Sequence, residues 1–266
     1  MKLAFIGGGA MGEAILSAIL EKGLSTPQST CVSDVKEERR RYLEQKYGVA
    51  VTDNNLEAVS KSDIVILAIK PQDLTRAMAE LSGQFKPNQL VLSIVASAQI
   101  YTLCQGLNHR QIVRVMPNTP AQIGQGMSVW TATAEITETQ KEWASSILRT
   151  MGKEIYFDDE KYIDMATTIS GCGPAYFFLF IEYLIDSAAK LGLPRDTAEE
   201  LVLQTMLGSG HLLQRSGKPP AELRRTVTSP GGITAEAIRQ FEEGGLGNLV
   251  TQAVNAAYKR AKELSR

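Results

Sequence analysis

The 266-residue chain is poor in the residues from which many active sites are built, with two histidines, His109 and His211, and three cysteines, Cys31, Cys104 and Cys172. An odd number of widely spaced cysteines with no C-x-x-C pair fits neither a disulfide framework nor a zinc site. It points to a reducing compartment, so a cytoplasmic setting and no metal are expected. His109 falls in a polar loop and His211 in a helical pattern, and both read as surface or satisfied core side chains. Neither sign of charge is in excess, with 28 basic against 29 acidic residues. That speaks against a nucleic-acid partner and against an acidic solvating tail. Long apolar runs are missing too. The most apolar stretch, 174–186, is interrupted by Glu182 and Asp186 before the roughly 20 residues that a bilayer span needs. It reads as the buried helix of a soluble protein with no membrane partner. One lysine and then an apolar strand open the chain, which leaves no place for a signal peptide. There are no repeats and no low-complexity tract.

What the chain does have is concentrated in its first twelve residues. Residues 2–6 form a short apolar run suited to a buried strand, Gly7-x-Gly9-x-x-Gly12 follows at once, and residues 14–20 carry helical apolar periodicity. Strand, glycine turn and helix in this order form the dinucleotide fingerprint. Gly7 permits the sharp reversal, Gly9 leaves the backbone open to a pyrophosphate, and Gly12 lets helix and strand pack closely. The helix N-terminus then faces the phosphates with its partial positive charge. A second strand at 30–33 ends at Asp34, the acid expected about 20 residues on as a ribose ligand.

Further apolar runs at 63–69, 89–94 and 111–116 alternate with helical segments at 36–47, 73–81 and 100–107. The spacing predicts βαβ units and a parallel sheet, with ligands at the carboxyl ends of the strands. Two more strands, 126–131 and 153–157, flank a helix over 137–151. Beyond Asp158 only helical patterns remain. The expected organisation is an α/β Rossmann-type dinucleotide-binding domain, 1–158, followed by an all-helical domain, 159–266. Two loops break the helical half, Ser170-Gly-Cys-Gly-Pro174 and Ser229-Pro-Gly-Gly-Ile-Thr234. Each sets glycine N–H groups and hydroxyls at a helix start, where backbone captures carboxylates or phosphates. Capping and turn formation account for either loop taken alone.

Several motifs together resemble the pyrroline-5-carboxylate reductase family of proline biosynthesis: Phe5-Ile-Gly-Gly-Gly-Ala-Met-Gly12, Ala68-Ile-Lys-Pro71, Arg114-Val-Met-Pro-Asn-Thr-Pro120, Ser170-Gly-Cys-Gly-Pro-Ala-Tyr176, Gly192-Leu-Pro194 and Thr228-Ser-Pro-Gly-Gly-Ile-Thr234. They run in the family's order over residues 5–238. The resemblance implies hydride transfer from NADPH or NADH to the C=N carbon of 1-pyrroline-5-carboxylate, giving L-proline without a metal. It implies a helical dimerisation domain, hence a homodimer whose interface the apolar helix at 174–191 suits, with dimers gathered into a ring. Thr234 would stand against the ring nitrogen. Ser229, Gly231, Gly232 and Ile233 would hold the substrate carboxylate, with Glu160 as a further substrate-side candidate. The dinucleotide would meet Ile6, Gly7, Gly8, Gly9, Ala10, Met11 and Gly12, then Asp34, Asn55, Ala68, Ile69, Lys70, Pro71, Ile94, Ala96 and Asn118.

Asp34 departs from the small or amide residue frequent there in the family, and a carboxylate repels a 2′-phosphate. NADH is therefore expected to serve, with Lys36 and Arg39 pulling the other way. Cys172, where the family often has serine, reads as small packing. The alternatives to this reading are a related imine or hydroxyacid reductase, or a dinucleotide-binding regulatory protein without turnover. Neither glycine loop holds the lysine that hydroxyacid dehydrogenases use as acid–base.

Overall fold

The first strand, β1 (Leu3–Ile6), has all four side chains buried and lies between two neighbours inside an eight-stranded sheet in the computed structural model, which describes residues 1–264. The others are β2 (Thr30–Ser33), β3 (Ala50–Thr52), β4 (Ile64–Leu67), β5 (Leu90–Ser93), β6 (Ile112–Met116), β7 (Gly126–Ala132) and β8 (Gly152–Tyr156). Their order is β3-β2-β1-β4-β5-β6-β7-β8, and the first six strands are parallel. Order reverses between β1 and β4, which opens a crevice at the strand ends where such sheets take their ligands.

The helices α1 (Ala10–Glu21), α2 (Glu37–Tyr47), α3 (Asn55–Ser60), α4 (Pro71–Leu81), α5 (Ile100–Leu107) and α6 (Glu138–Arg149) cover the sheet. Alternation along β1 divides the core in two. Leu3 and Phe5 pack with Ile15, Ile19, Ile64 and Leu148, whereas Ala4 and Ile6 pack with Val65, Leu103 and Leu107. Strands buried on both faces explain why the sequence shows unbroken apolar runs rather than alternation. One strand direction was not legible in the pattern: β7 runs antiparallel to β6. Only residues 117–125 separate the two strands, too few for a parallel crossover.

After β8 no strand occurs among the described residues. The chain continues through α7 (Lys161–Ala166), a π-helical turn (Thr167–Gly171), α8 (Gly173–Lys190), α9 (Arg195–Ser216), α10 (Pro220–Thr226), α11 (Ile233–Glu243) and α12 (Leu246–Leu264). Two compact units divide the chain, one made of residues 1–174 with 258–264 and the other of residues 175–257.

The aromatic run of α8, read from the sequence as a buried helix suited to a dimer interface, is not buried within the single chain. Phe177 and Phe178 are 64% and 62% exposed, and Phe180, Tyr183 and Leu184 are exposed as well. The helical stretch from Lys161 to Lys190 is also long and apolar enough, by length and composition alone, to cross a membrane. Glu182 and Asp186 do not prevent that, because the stretch begins upstream of the run in which they were weighed. Within the second unit, Phe177, Phe180, Leu184, Leu201 and Met206 line an open apolar hollow. A surface of this kind on a folded chain marks an association site.

Candidate active site

The three glycines of the turn are constrained differently. Gly7 has φ +99°, and a Cβ there would stand 2.6 Å from the Ala68 carbonyl oxygen. A Cβ on Gly12 would stand 2.6 Å from the Gly7 oxygen, so β1 and α1 meet only because both residues lack side chains. Gly9, by contrast, has nothing within 4 Å of a Cβ position. It caps α1 in an extended conformation and is exposed, as is Ala10. The first N–H groups of α1, at Ala10, Met11 and Gly12, have no intrahelical acceptor. An open backbone cradle with unpaired N–H groups fits a pyrophosphate.

Asp34 follows β2 and is fastened to this turn. The Gly8 N–H donates to its Oδ2 at 2.8 Å and the Lys36 N–H to its Oδ1 at 2.9 Å. A carboxylate is thereby held at the edge of the glycine turn, where Rossmann domains meet the ribose. Arg39, on the first turn of α2, donates through Nε to the Gly8 carbonyl and through Nη2 to the Glu13 carboxylate. Glu13 also accepts from Lys46 Nζ at 2.9 Å, Tyr47 OH at 2.8 Å and Tyr42 OH at 3.0 Å. Burial would raise its pKa, but Lys46, Arg39, Tyr47 and Tyr42 outweigh that and lower it to about 2. The Tyr42 hydroxyl and, after it, the same Glu13 raise the pKa of Lys46. Sequence reading missed Glu13. Its signal was available in Arg39, Tyr42 and Lys46, whose i, i+3, i+7 spacing puts them on one face of α2.

The remaining dinucleotide-side residues lie at the carboxyl ends of the central strands and the loops after them. Ala68 continues β4 with its N–H on the Ile6 carbonyl at 2.8 Å, and Ile69 packs on the core below. Lys70 caps α4 with an exposed side chain, and Pro71 takes the first helical position. Ile94 and Ala96 are half-buried after β5, next to Ser97 at φ +63°, a left-handed conformation costly for a non-glycine residue. Asn55 accepts from Ser33 Oγ at 2.7 Å and donates to Glu80 at 2.9 Å. Asn118 is a brace: its Nδ2 donates to the Ser170 carbonyl at 3.0 Å and its Oδ1 accepts from the Met127 N–H at 2.9 Å.

In the helical unit, Ser229 precedes a turn closed by the Gly232 N–H on the Ser229 carbonyl at 3.0 Å, with Gly231 at φ +71°. Gly232 then caps α11 without a side-chain acceptor, leaving the N–H groups of Ile233 and Thr234 at an open helix start. Ser229, Gly231, Ile233 and Thr234 are exposed, and among the described residues neither hydroxyl has a hydrogen-bond partner.

Glu160 is tied into the first unit through one carboxylate oxygen. Its Oε1 accepts from Arg114 Nη1 at 2.7 Å and from the Ile100 N–H, at the start of α5, at 2.8 Å. The bland readings of the histidines fit their surroundings. His109 is buried against Phe85, with Nε2 2.6 Å from the Gln89 carbonyl, and burial lowers its pKa. His211 is exposed in the single chain. Burial raises the pKa of the Cys31 and Cys104 thiols, which disfavours the thiolate.

Residues 160–264 match the family model described as pyrroline-5-carboxylate reductase dimerisation, and residues 2–97 match NADP oxidoreductase, coenzyme F420-dependent. A pyrroline-5-carboxylate reductase of Pseudomonas aeruginosa is 41% identical over 265 residues, covering 99% of this chain and 97% of that protein. The solved pyrroline-5-carboxylate reductase of Coxiella burnetii is 35% identical at a TM-score of 0.90, covering 100% of this chain and 98% of that one. The Plasmodium falciparum pyrroline carboxylate reductase, solved with NADP bound, gives a TM-score of 0.90 at 31% identity, with coverage of 100% and 98%.

Proposed function

Because the chain belongs to the pyrroline-5-carboxylate reductase family, we propose that Thr234 works at its reacting centre and that Ser229, with the N–H groups of Gly231, Gly232 and Ile233, holds the substrate carboxylate. The enzyme reduces 1-pyrroline-5-carboxylate to L-proline with NAD(P)H, the last step of proline biosynthesis, and it self-associates through its helical domain. The bound dinucleotide supplies the hydride that reaches the imine carbon.

The chain's own part is positioning and charge. Glycine N–H groups at an open helix start suit a carboxylate. A hydroxyl one step into the same helix can donate to, or orient, the ring nitrogen, whose positive charge makes the imine a better hydride acceptor. The observation that carries this reading is the pair of unpartnered hydroxyls, Ser229 and Thr234, at the two ends of one uncapped turn. On the dinucleotide side the same proposal takes in the glycine turn, Asp34, the Ala68–Pro71 segment, Ile94 and Ala96. Asn118 acts there through the backbone it braces, Asn55 through its links to the Ser33 and Glu80 side chains, and Glu160, the further substrate-side candidate, is linked to Arg114 and α5.

The functional division proposed is 1–158 for the dinucleotide and 159–266 for substrate and dimerisation. The start of the dimerisation match at residue 160 supports it. Cytoplasmic location, supported by three free cysteines, and assembly of dimers into a ring belong to the same proposal.

The test is loss of nicotinamide absorbance with racemic pyrroline-5-carboxylate and either NADH or NADPH. Thr234→Ala is expected to lower kcat at least about tenfold with cofactor KM unchanged, and Ser229→Ala to raise the imine KM by a similar factor. Cofactor binding without oxidation in the wild-type protein would instead point to another acceptor or to a binder without turnover.

A further inference from the structure

Five cationic side chains lie on α2 or just before it, and all but one have partners. Arg41 pairs with Glu37, and Arg40 holds the Asp34 carbonyl at 2.8 Å and lies 3.7 Å from Asp53. Arg39 and Lys46 converge on the single carboxylate of Glu13, the residue after Gly12. Lys36 alone is unpaired among the described residues, and it is exposed.

The Arg39 guanidinium stands over the Tyr42 ring at 5.0 Å, while Lys46 stands 5.1 Å from both the Tyr42 and Tyr47 rings. Arg39 is the cation that touches the glycine turn, through the Gly8 carbonyl and, at 3.5 Å, the Gly9 carbonyl. Beside it Asp34 is fixed by two backbone N–H groups. A ribose 2′-phosphate needs a cation free to turn towards it. Here Arg39, the guanidinium on the glycine turn, is neutralised by Glu13 and a carboxylate borders the turn, which leaves Lys36, among the described residues, as the one unpaired cation of the five.

We propose that Glu13 is a specificity determinant of this enzyme: by clamping Arg39 and Lys46 it withholds positive charge from the ribose 2′ position, and with Asp34 it sets the chain to the dinucleotide without a 2′-phosphate. The proposal rests on the glycine turn being the dinucleotide site. It also bears on the opposition of Lys36 and Arg39 to Asp34 that the sequence left open: the charge of Arg39 is already satisfied within the fold, and among the described residues only Lys36 of the five remains free.

Calorimetric titration with ADP-ribose and with 2′-phospho-ADP-ribose, which carry no nicotinamide, reads this preference apart from turnover. Wild-type protein is expected to bind the phosphorylated form at least about tenfold more weakly. Glu13→Gln should recover most of that difference by tightening the phosphorylated form alone, with a steeper salt dependence, as expected of a freed charge. The double variant Glu13→Gln, Arg39→Gln should lose the recovery. Arg39→Gln alone should leave the ratio unchanged, and it serves as the test if Glu13→Gln does not fold. Equal affinities in the wild type would overturn the proposal, as would a Glu13→Gln variant that shifts both ligands alike. A marked loss of the phosphorylated ligand in Arg39→Gln alone would do the same. In those cases the site reading stands, whereas failure of both ligands to bind removes the dinucleotide site and the proposal with it.

Discussion

Arg114 and Asp164 meet at 2.7 Å, tying the middle of the buried strand β6 to α7, the first helix after the sheet. Glu160 takes the other guanidinium nitrogen at 2.7 Å, and only 4% of the Arg114 side chain is exposed. Removing the cation leaves two carboxylates facing each other at the edge of the core. Arg114→Met is therefore expected to cost about 3 kcal/mol in denaturant unfolding, and much of that should return when Glu160→Gln and Asp164→Asn are added. A single variant as stable as wild type would show that the cluster is solvated and contributes nothing.

The glycine turn allows packing and ligand access to be separated in one pair of variants. Gly12→Ala would place a methyl 2.6 Å from the Gly7 carbonyl oxygen and 3.3 Å from the Ala68 methyl. The contact is against backbone that cannot give way, so the melting temperature should fall by several degrees, on the order of 1–3 kcal/mol of overpacking. Gly9→Ala meets nothing within 4 Å. It should melt as the wild type does and bind ADP-ribose at least about tenfold more weakly, because the added methyl occupies the approach of the pyrophosphate. A Gly9→Ala protein with unaltered affinity would move the phosphates elsewhere.

The parts of this molecule legible in its sequence are those whose cause is local. The run from β1 through Gly12 to α1 is set by neighbours in the chain, and the βαβ spacing follows from elements long enough to show their period. What escaped reading depends on partners distant in sequence. Glu160 looks like any acid at a domain edge, and only folding brings Arg114 to it across 46 residues. Glu13 likewise looks like an ordinary first-turn acid, though Arg39, Tyr42 and Lys46 repeat along the matching face of α2. The aromatic run of α8 reads as a buried helix suited to a dimer interface, and the single chain leaves it exposed. Periodicity records that a face avoids water, not whether the chain itself or a second copy covers it, and the dimerisation match over 160–264 assigns it to self-association.

The Glu13 clamp also has a pH signature. Its folded-state pKa lies at about 2 against the ordinary 4.5, because four donors favour the carboxylate more than burial opposes it. A depressed carboxylate pKa adds stability that is complete above the unfolded value and is lost as pH falls towards the folded one. Glu13→Gln removes that contribution. The wild-type advantage over this variant in chemical unfolding should therefore be constant from about pH 7 down to about pH 5, then shrink steadily as pH falls towards 2. Because Lys46 and Arg39 lie partly in solvent, the advantage should also narrow with added salt at neutral pH. An advantage that stays level through the acid range would mean that Glu13 is no better paired in the folded chain than in the unfolded one, and that Arg39 is not held by its charge.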